Sequence, residues 1–342
     1  MSRIGKPRLG SDWLVTRSDD GYVAEVCPSP LFFARPLVPD RNELALIDWI
    51  RQRAASAPNL QLGIGDDCAV WQPSGSSLLF TTDVLMEDVD FRIHETTPQL
   101  IGRKAMAVNL SDIAAMAGRP VAALVGVALP KSRGFEFAKQ LHEGMQSLAA
   151  EFKVAIIGGD TNIWDGPLVI SVTLIGESTE RGPVRRSGAK PGDWLFVTGP
   201  LGGSILGHHL TFTPRVHEAL ELHRLVDLHA MIDLSDGLAA DLHHLLDESS
   251  VGAMLFENSL PISEAACRMT DNRSSLEHAL SDGEDFELLF TVSPSEGAKL
   301  LATTGDVTAT RIGEIESQAG CHMRMRDGRL RDLPRGGWEH SF

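Results

Sequence analysis

Acidic residues recur beside glycine where apolar runs end, and this pattern constrains the chain more than any other. Asp66 and Asp67 follow Gly65, and Asp83 follows Thr81-Thr82. Asp160 follows Gly158-Gly159, Asp233 and Asp236 flank Ser235, and Glu284-Asp285 follow Gly283. The intervening segments alternate between strand-like runs and helical periodicity, which predicts two α/β domains. Ligands in such folds bind at strand ends. Glycine lets a backbone come close to phosphate, and carboxylate oxygens are hard ligands suited to Mg²⁺. One acid in a turn is ordinarily a cap or a turn closure. Five such clusters are poorly explained that way, and acids gathered in one site need a cation to stay ionised together. The residues alone therefore point to a phosphate site with several metal ions and leave the substrate open.

The elements that carry these clusters can be placed from periodicity. Asn42 caps a first helix in which Leu44, Ile47 and Ile50 recur. Residues 77–82 read as a strand ending at Asp83. Thr97-Pro98 starts a helix that runs to about Gly118 and carries Lys104, Asn109 and Asp112. A strand over 121–129 follows, then an apolar helical stripe of Phe137, Leu141, Met145, Leu148 and Phe152. Val154–Ile157 reads as a short buried strand running into Gly158-Gly159-Asp160-Thr161, and 168–176 as another. Residues 177–193, rich in Gly, Pro, Arg and Ser, read as a linker. Beyond it come strands at 194–198 and 286–292 and a helix with Leu238, Leu242 and Leu245. Residues 1–41, with Pro28, Pro30, Pro36 and Pro39 and no periodic pattern, read as an extension outside the main fold. Asn109-Leu110-Ser111-Asp112 echoes Asp233-Leu234-Ser235-Asp236, but four positions make no repeat.

Composition excludes several classes. A formal net charge of -15 repels nucleic acid and anionic membranes. A polyphosphate can still bind when divalent cations stand between it and the carboxylates. No apolar run approaches the roughly 18 residues of a membrane span, and the first residues do not have the form of a signal peptide. Cys27, Cys68, Cys267 and Cys321 form no C-x-x-C pair, so a reduced, cytoplasmic setting is expected. The pairs His208-His209 and His243-His244 lack the H-E-x-x-H form. A P-loop, a protein-kinase motif set and G-x-S-x-G are all absent.

Read together, GIGDDCAV (63–70), TTDVLMEDVDF (81–91), KAMAVNLSDIAAM (104–116), GGDT (158–161), RSGAKPGDW (186–194), IDLSDGL (232–238), SDGEDFEL (281–288) and GWEH (337–340) resemble the thiamine-monophosphate kinases. That family belongs to the superfamily of aminoimidazole ribonucleotide synthetase and selenophosphate synthetase. The motifs keep the family's order over residues 43–342. The resemblance implies ATP-dependent phosphorylation of thiamine monophosphate to thiamine diphosphate, with several Mg²⁺ ions. It implies a two-domain α/β (α+β) fold of the aminoimidazole ribonucleotide synthetase type, dimerising through a shared β-barrel. A 42–180 domain would bind ATP and Mg²⁺ and form the homodimer, and a 181–342 domain would complete the substrate site. Asp66, Thr82, Asp83, Asp112, Asp160, Asp233 and Asp236 would surround the metals. Thr81, Gly159, Arg186 and Ser235 would contact the nucleotide, with Asp160, Asp233 and Arg186 neutralising charge in transfer. Glu284 and Trp338 would contact the thiamine moiety, and no covalent nucleophile is implied.

Two stretches depart from the family. Where it usually reads V-E-G-V-H-F, this chain has Met86-Glu87-Asp88-Val89-Asp90-Phe91, so an acid, Asp90, stands at a substrate-contacting position. Asp90 could pair with the thiazolium cation, bind another metal, or mark a changed acceptor. His142 stands where the family often has an aromatic residue near the adenine, and it can still stack. Two other readings compete: an enzyme of the same superfamily with a different acceptor, and an inactive nucleotide-binding regulator.

Overall fold

In the computed structural model, residues 49–54, 56–62, 70–71, 73, 77–303 and 307–337 are described. The expected extension over 1–41 and most of the helix expected from Asn42 lie outside them, as do Asp66, Asp67 and Trp338. A short antiparallel ribbon, β1 (Leu60–Leu62) with β2 (Val70–Trp71), comes first.

Two larger sheets follow. The first has the order β3 (Leu78–Met86), β6 (Val169–Glu177), β4 (Arg119–Pro130), β5 (Ala155–Trp164). Only β4 and β5 run parallel, and parallel neighbours need a long crossover, which α2 (Gly134–Glu151) supplies. The helix between β3 and β4 is α1 (Pro98–Ala115). Thr97 caps it, its Oγ1 accepting the Leu100 amide at 3.3 Å, and Pro98 sits where an N–H would have no helical partner. The strands alternate: Leu79, Leu85, Ile170, Val172 and Leu174 are buried. Phe80 (67% exposed), Val84 and Met86 stand on the other face.

The second sheet has the order β13 (Leu330–Asp332), β12 (Gly320–Arg324), β9 (Gly252–Phe256), β11 (Thr310–Glu316), β7 (Trp194–Val197), β10 (Leu288–Val292), β8 (Leu228–Asp233). Only β12 and β9 are parallel. Its helices are α3 (His208–Thr211), α4 (Val216–Leu225), α5 (Leu238–Ser249), α6 (Glu264–Arg268), α7 (Ser275–Ser281) and α8 (Pro294–Ala302). Leu238, Leu242 and Leu245 of α5 are fully buried, as their spacing predicts.

Three features of the sheets bear on those expectations. Both sheets are mostly antiparallel, because alternation of strands and helices along a chain does not decide which strands pair. β3 continues to Met86 and β5 to Trp164, so Asp83 and Asp160 lie within strands and not at their ends. Pairing of β5 with β4 persists through Gly158 and Gly159, accommodated by a register shift near Ala123. Finally, the first sheet is open: among the described residues β3 pairs only with β6, and β5 only with β4.

Helix α1 joins the layers. It packs on β3, β6 and α2 on one side and on α3, α4 and β8 on the other. Ile101, Ala105, Met106, Ala107, Leu110 and Ala114 are wholly buried around its circumference. Two glycines let it approach α2 backbone to backbone: a Cβ on Gly102 would stand 2.0 Å from the Leu141 carbonyl oxygen, and one on Gly144 1.9 Å from that of Gln99. Gly144→Ala should therefore destabilise the protein by about 1–3 kcal/mol. In thermal unfolding, the exposed neighbour substitution Ser147→Ala should leave the midpoint nearly unchanged. Equal midpoints for the two variants would contradict this packing.

Candidate active site

A cavity of about 620 Å³ opens between β3, α1 and the turns that leave β8 and enter β10. Its wall brings together Asp83, Asp112, Asp233, Asp236, Ser235 and Glu284. Asp83 comes from the middle of β3, Asp112 from the last turn of α1, and Asp233 from the end of β8. The two halves of the Asn-Leu-Ser-Asp echo meet here without being a repeat: Ser111 on α1 donates its hydroxyl to Asp233 Oδ2 at 2.6 Å. The Thr81 hydroxyl donates to Asp112 Oδ2.

These carboxyls are held near one another at a cost. Asp83 is raised to about 7, first by burial, then by Asp112, Asp233 and Asp90. Asp233 is raised to about 7 by burial and by Asp112, with the Ser111 hydrogen bond and Arg186 acting the other way. Burial also raises Asp112, against its bond from Thr81 and the charge of Arg186. Arg186 itself is exposed, and its carbonyl accepts the Ser249 hydroxyl at 2.8 Å.

Other expected site residues lie differently. Thr82 alternates to the opposite face of β3, where its hydroxyl donates to the Val172 carbonyl at 3.2 Å. Gly159 and Asp160 do not line this cavity. Asp83, Val172, Val125 and Gly159 fall on one register row, three strands across, or roughly 14 Å at ~4.8 Å per strand spacing. Gly159 and Asp160 instead border a smaller pocket of about 140 Å³ with His142, Val125, Leu141 and Met145. His142 is buried, its ring edge-on to Trp49 at 5.6 Å, and burial lowers it to about 4, so it is neutral at neutral pH. Asp90 does reach the large cavity, but its Oδ2 accepts the Met86 amide at 2.7 Å and so closes its own turn. Asp88 in that turn has φ 67°, a left-handed conformation that Asp tolerates and glycine favours. Asp88 and Asp90 thus each have a local backbone role.

Sequence reading missed other groups. Lys104, 1% exposed, donates from Nζ to Glu284 Oε1 and to the Asp90 carbonyl at 2.7 Å. Its spacing with Val108 and Asp112, one helical face, was the available signal. Asp241, in the first turn of α5, accepts the amides of Asp236 at 3.0 Å and Gly237 at 3.1 Å. Burial, then Asp233 and Asp236, raise it to about 8. Asp282 accepts the Gly203 amide at 2.8 Å and is flanked by Arg273 at 2.9 Å and His278 at 3.0 Å, which steadies the turn before Glu284. Only the four-residue spacings of Gly237 with Asp241 and of His278 with Asp282 could have signalled these links.

The donor set suits a hard divalent cation. Among the described residues no group of three or more His, Cys, Asp or Glu is arranged to hold a metal by itself. Mg²⁺ does not require such a cage, because it commonly binds one or two carboxylates and fills its shell with phosphate oxygens and water. Buried acids that repel one another are what a cation would relieve.

This combination of two sheets, a buried connecting helix and an acid-lined cavity defines a class. Residues 65–178 match the family model of AIR synthase related protein, N-terminal domain, and residues 190–325 match that of the C-terminal domain. A thiamine-monophosphate kinase of Rhodopirellula baltica is 45% identical over 309 residues, covering 87% of this chain and 97% of the relative. The crystal structure of thiamine-monophosphate kinase from Stenotrophomonas maltophilia K279a superposes with a TM-score of 0.73 at 36% identity, covering 84% of this chain and 97% of that one. AaThiL complexed with AMPPCP and TMP superposes with a TM-score of 0.69 at 31% identity, covering 87% and 97%. The chain belongs to the AIR synthase related family, among its thiamine-monophosphate kinases.

Linkage gives the site a pH signature. Asp83 and Asp233 keep protons to about pH 7 in the fold, against 3.8 ordinarily, so the native state binds more protons than the unfolded chain in that window. The stability they contribute is complete below the ordinary value and is lost as pH rises through 7. Metal-free protein, scanned from pH 5 to 8 by thermal unfolding, should lose stability as pH rises towards 7. Millimolar Mg²⁺ should flatten the trend. Identical curves with Mg²⁺ and with EDTA would count against the cavity as a cation site.

Proposed function

We propose that this protein transfers the γ-phosphoryl group of ATP to thiamine monophosphate, giving thiamine diphosphate and ADP. The observation that carries the proposal is the convergence of Asp83, Asp112, Asp233 and Asp236 on one cavity that also holds Glu284 and Ser235. The close relatives bear the name of this activity, and AaThiL has been captured with AMPPCP and TMP.

Asp83, Asp112, Asp233 and Asp236, with Asp66, are proposed to hold Mg²⁺. Bound there, Mg²⁺ supplies positive charge to phosphate oxygens that would otherwise repel the acids and one another. Arg186 adds a cation beside Asp112 and Asp233, and Ser235 and Thr81 lie beside the phosphates. The acceptor phosphate is already an oxyanion, so no strong general base is required. One of its oxygens bonds to the γ-phosphorus as the bond to the bridging oxygen of ADP breaks. What remains for the protein is to align and neutralise two polyanions. The apolar pocket of His142, Leu141 and Met145, with Gly159 at its edge, is proposed to seat the adenine. Glu284 and Trp338 are proposed to face the thiamine moiety.

A homodimer completes this reading. Among the described residues the first sheet has two unpaired edges, and its outer face carries Phe80, Val84 and Met86. Two copies joined edge to edge, β3 of one beside β5 of the other, would form a shared barrel and bring the partner's Asp160 towards Asp83. The proposed domains are 42–180 for ATP, Mg²⁺ and dimerisation and 181–342 for completing the acceptor site, in a cytoplasmic enzyme. Among the described residues no helix is long and apolar enough to cross a membrane. The local roles of Asp88 and Asp90 favour thiamine monophosphate over a changed acceptor.

The test is ADP release by purified protein with ATP, Mg²⁺ and thiamine monophosphate, set beside free thiamine and other phosphate acceptors. Release should depend on thiamine monophosphate and stop with EDTA. Asp233→Ala and Asp160→Ala should each lower turnover by at least roughly 100-fold, the scale of losing a key electrostatic contact, while circular dichroism is preserved. Near-normal turnover in both would remove the metal assignment. No dependence on thiamine monophosphate would remove the function.

A further inference from the structure

Lys104 has no counterpart in the chemistry above, yet it is the most deeply buried ammonium described. Its side chain is 1% exposed, at the N-terminal half of α1, in the wall of the large cavity. A buried lysine is kept charged only by partners that compensate for lost hydration. Here there are two. The first is the carboxylate of Glu284, 180 residues away in sequence, and the second is the carbonyl of Asp90 at 2.7 Å.

Both partners sit on constrained backbone. Glu284 has φ 54°, unusual for a residue with a Cβ, and its amide donates to the Ser235 carbonyl at 2.7 Å. Gly283, just before it, has φ 74°, and a Cβ there would stand 2.7 Å from that same Ser235 oxygen. The turn that carries Asp90 contains Asp88 at φ 67°. Lys104 therefore joins two strained turns, one from each sheet layer, across the helix between them. Glu284 Oε1 is occupied by Lys104. The side chain remains 33% exposed at the cavity.

We infer that Lys104 is a positioning residue for acceptor recognition: it fixes Glu284 so that the carboxylate presents one oriented oxygen to the organic part of the acceptor. This rests on the reading of Glu284 as an acceptor contact. With its charge largely offset by Lys104, Glu284 recognises the acceptor as a directed hydrogen-bond acceptor for an N–H donor more than as a bare anion for a cation. Lys104 also keeps the Asp88–Asp90 turn at the same end of the cavity. The pocket around His142 and Gly159, proposed for the adenine, contains neither residue, so the pair acts on the acceptor more than on the nucleotide base.

The experiment measures binding, not turnover. Calorimetry with thiamine monophosphate, and separately with a non-hydrolysable ATP analogue plus Mg²⁺, is run on wild type, Lys104→Met, Glu284→Gln and the double variant. Each single change should weaken thiamine monophosphate at least tenfold and leave the ATP analogue within about twofold. The double variant should bind no more weakly than the worse single one, since both changes act through one oxygen. If Lys104→Met does not fold, the double variant, which leaves no unpaired charge buried, carries the test by matching Glu284→Gln. Lys104→Met within twofold of wild type for thiamine monophosphate would overturn the inference, as would losses that multiply in the double variant. Absence of binding by the wild-type protein would instead overturn the proposed function.

Discussion

Everything in the cavity depends on how α1 is held. It is covered on one side by the first sheet and α2, and on the other by α3, α4 and β8. Its small residues, Gly102, Ala105, Ala107 and Ala114, allow that double contact, and Gly102 and Gly144 bring two helix backbones closer than any side chain would permit. A helix packed on all sides cannot slide or rotate without opening voids. The polar groups it carries are therefore placed with little freedom, Lys104 and Ser111 against the second layer and Asp112 against Thr81 of β3. The Ser111–Asp233 and Lys104–Glu284 bonds are the points where that placement becomes chemistry.

The same packing explains the electrostatics. Burial is the first cause of the raised values at Asp83, Asp112, Asp233 and Asp241, and mutual repulsion adds to it at three of them. A protein of net charge -15 that gathers further negative charge in one cavity is poorly suited to bind a bare polyphosphate. It is well suited to bind one that arrives with divalent cations. Arg186 tempers this field at Asp112 and Asp233, and Lys104 pairs with Glu284.

The departures at Asp88 and Asp90 illustrate how a residue in a motif can serve the backbone. Asp88 occupies a left-handed position that would suit glycine, and Asp90 closes the turn on the Met86 amide. An acid facing a phosphate would be unfavourable, but an acid that caps its own turn costs the site little. The Lys104 ammonium on the Asp90 carbonyl further steadies that end of the cavity.

Much of this was legible in the linear chain. The cap of α1 follows from Thr97-Pro98, and the stripes of α2 and α5 from apolar residues at helical spacing, because a helix repeats over a few residues and records its buried face locally. The acid-and-glycine clusters announced a phosphate site for the same reason, each being a short local motif. Strand pairing was not legible: the antiparallel order, the extension of β3 past Asp83 and of β5 past Asp160, and the three-strand separation of those two acids are set by partners distant in sequence. Nor was the bond from Lys104 to Glu284, which spans 180 residues. By itself the sequence determined which groups the protein owns and which helices present them. Only the tertiary structure decided which groups meet, since contacts between distant segments depend on how the sheets pack around α1, and no local pattern encodes that.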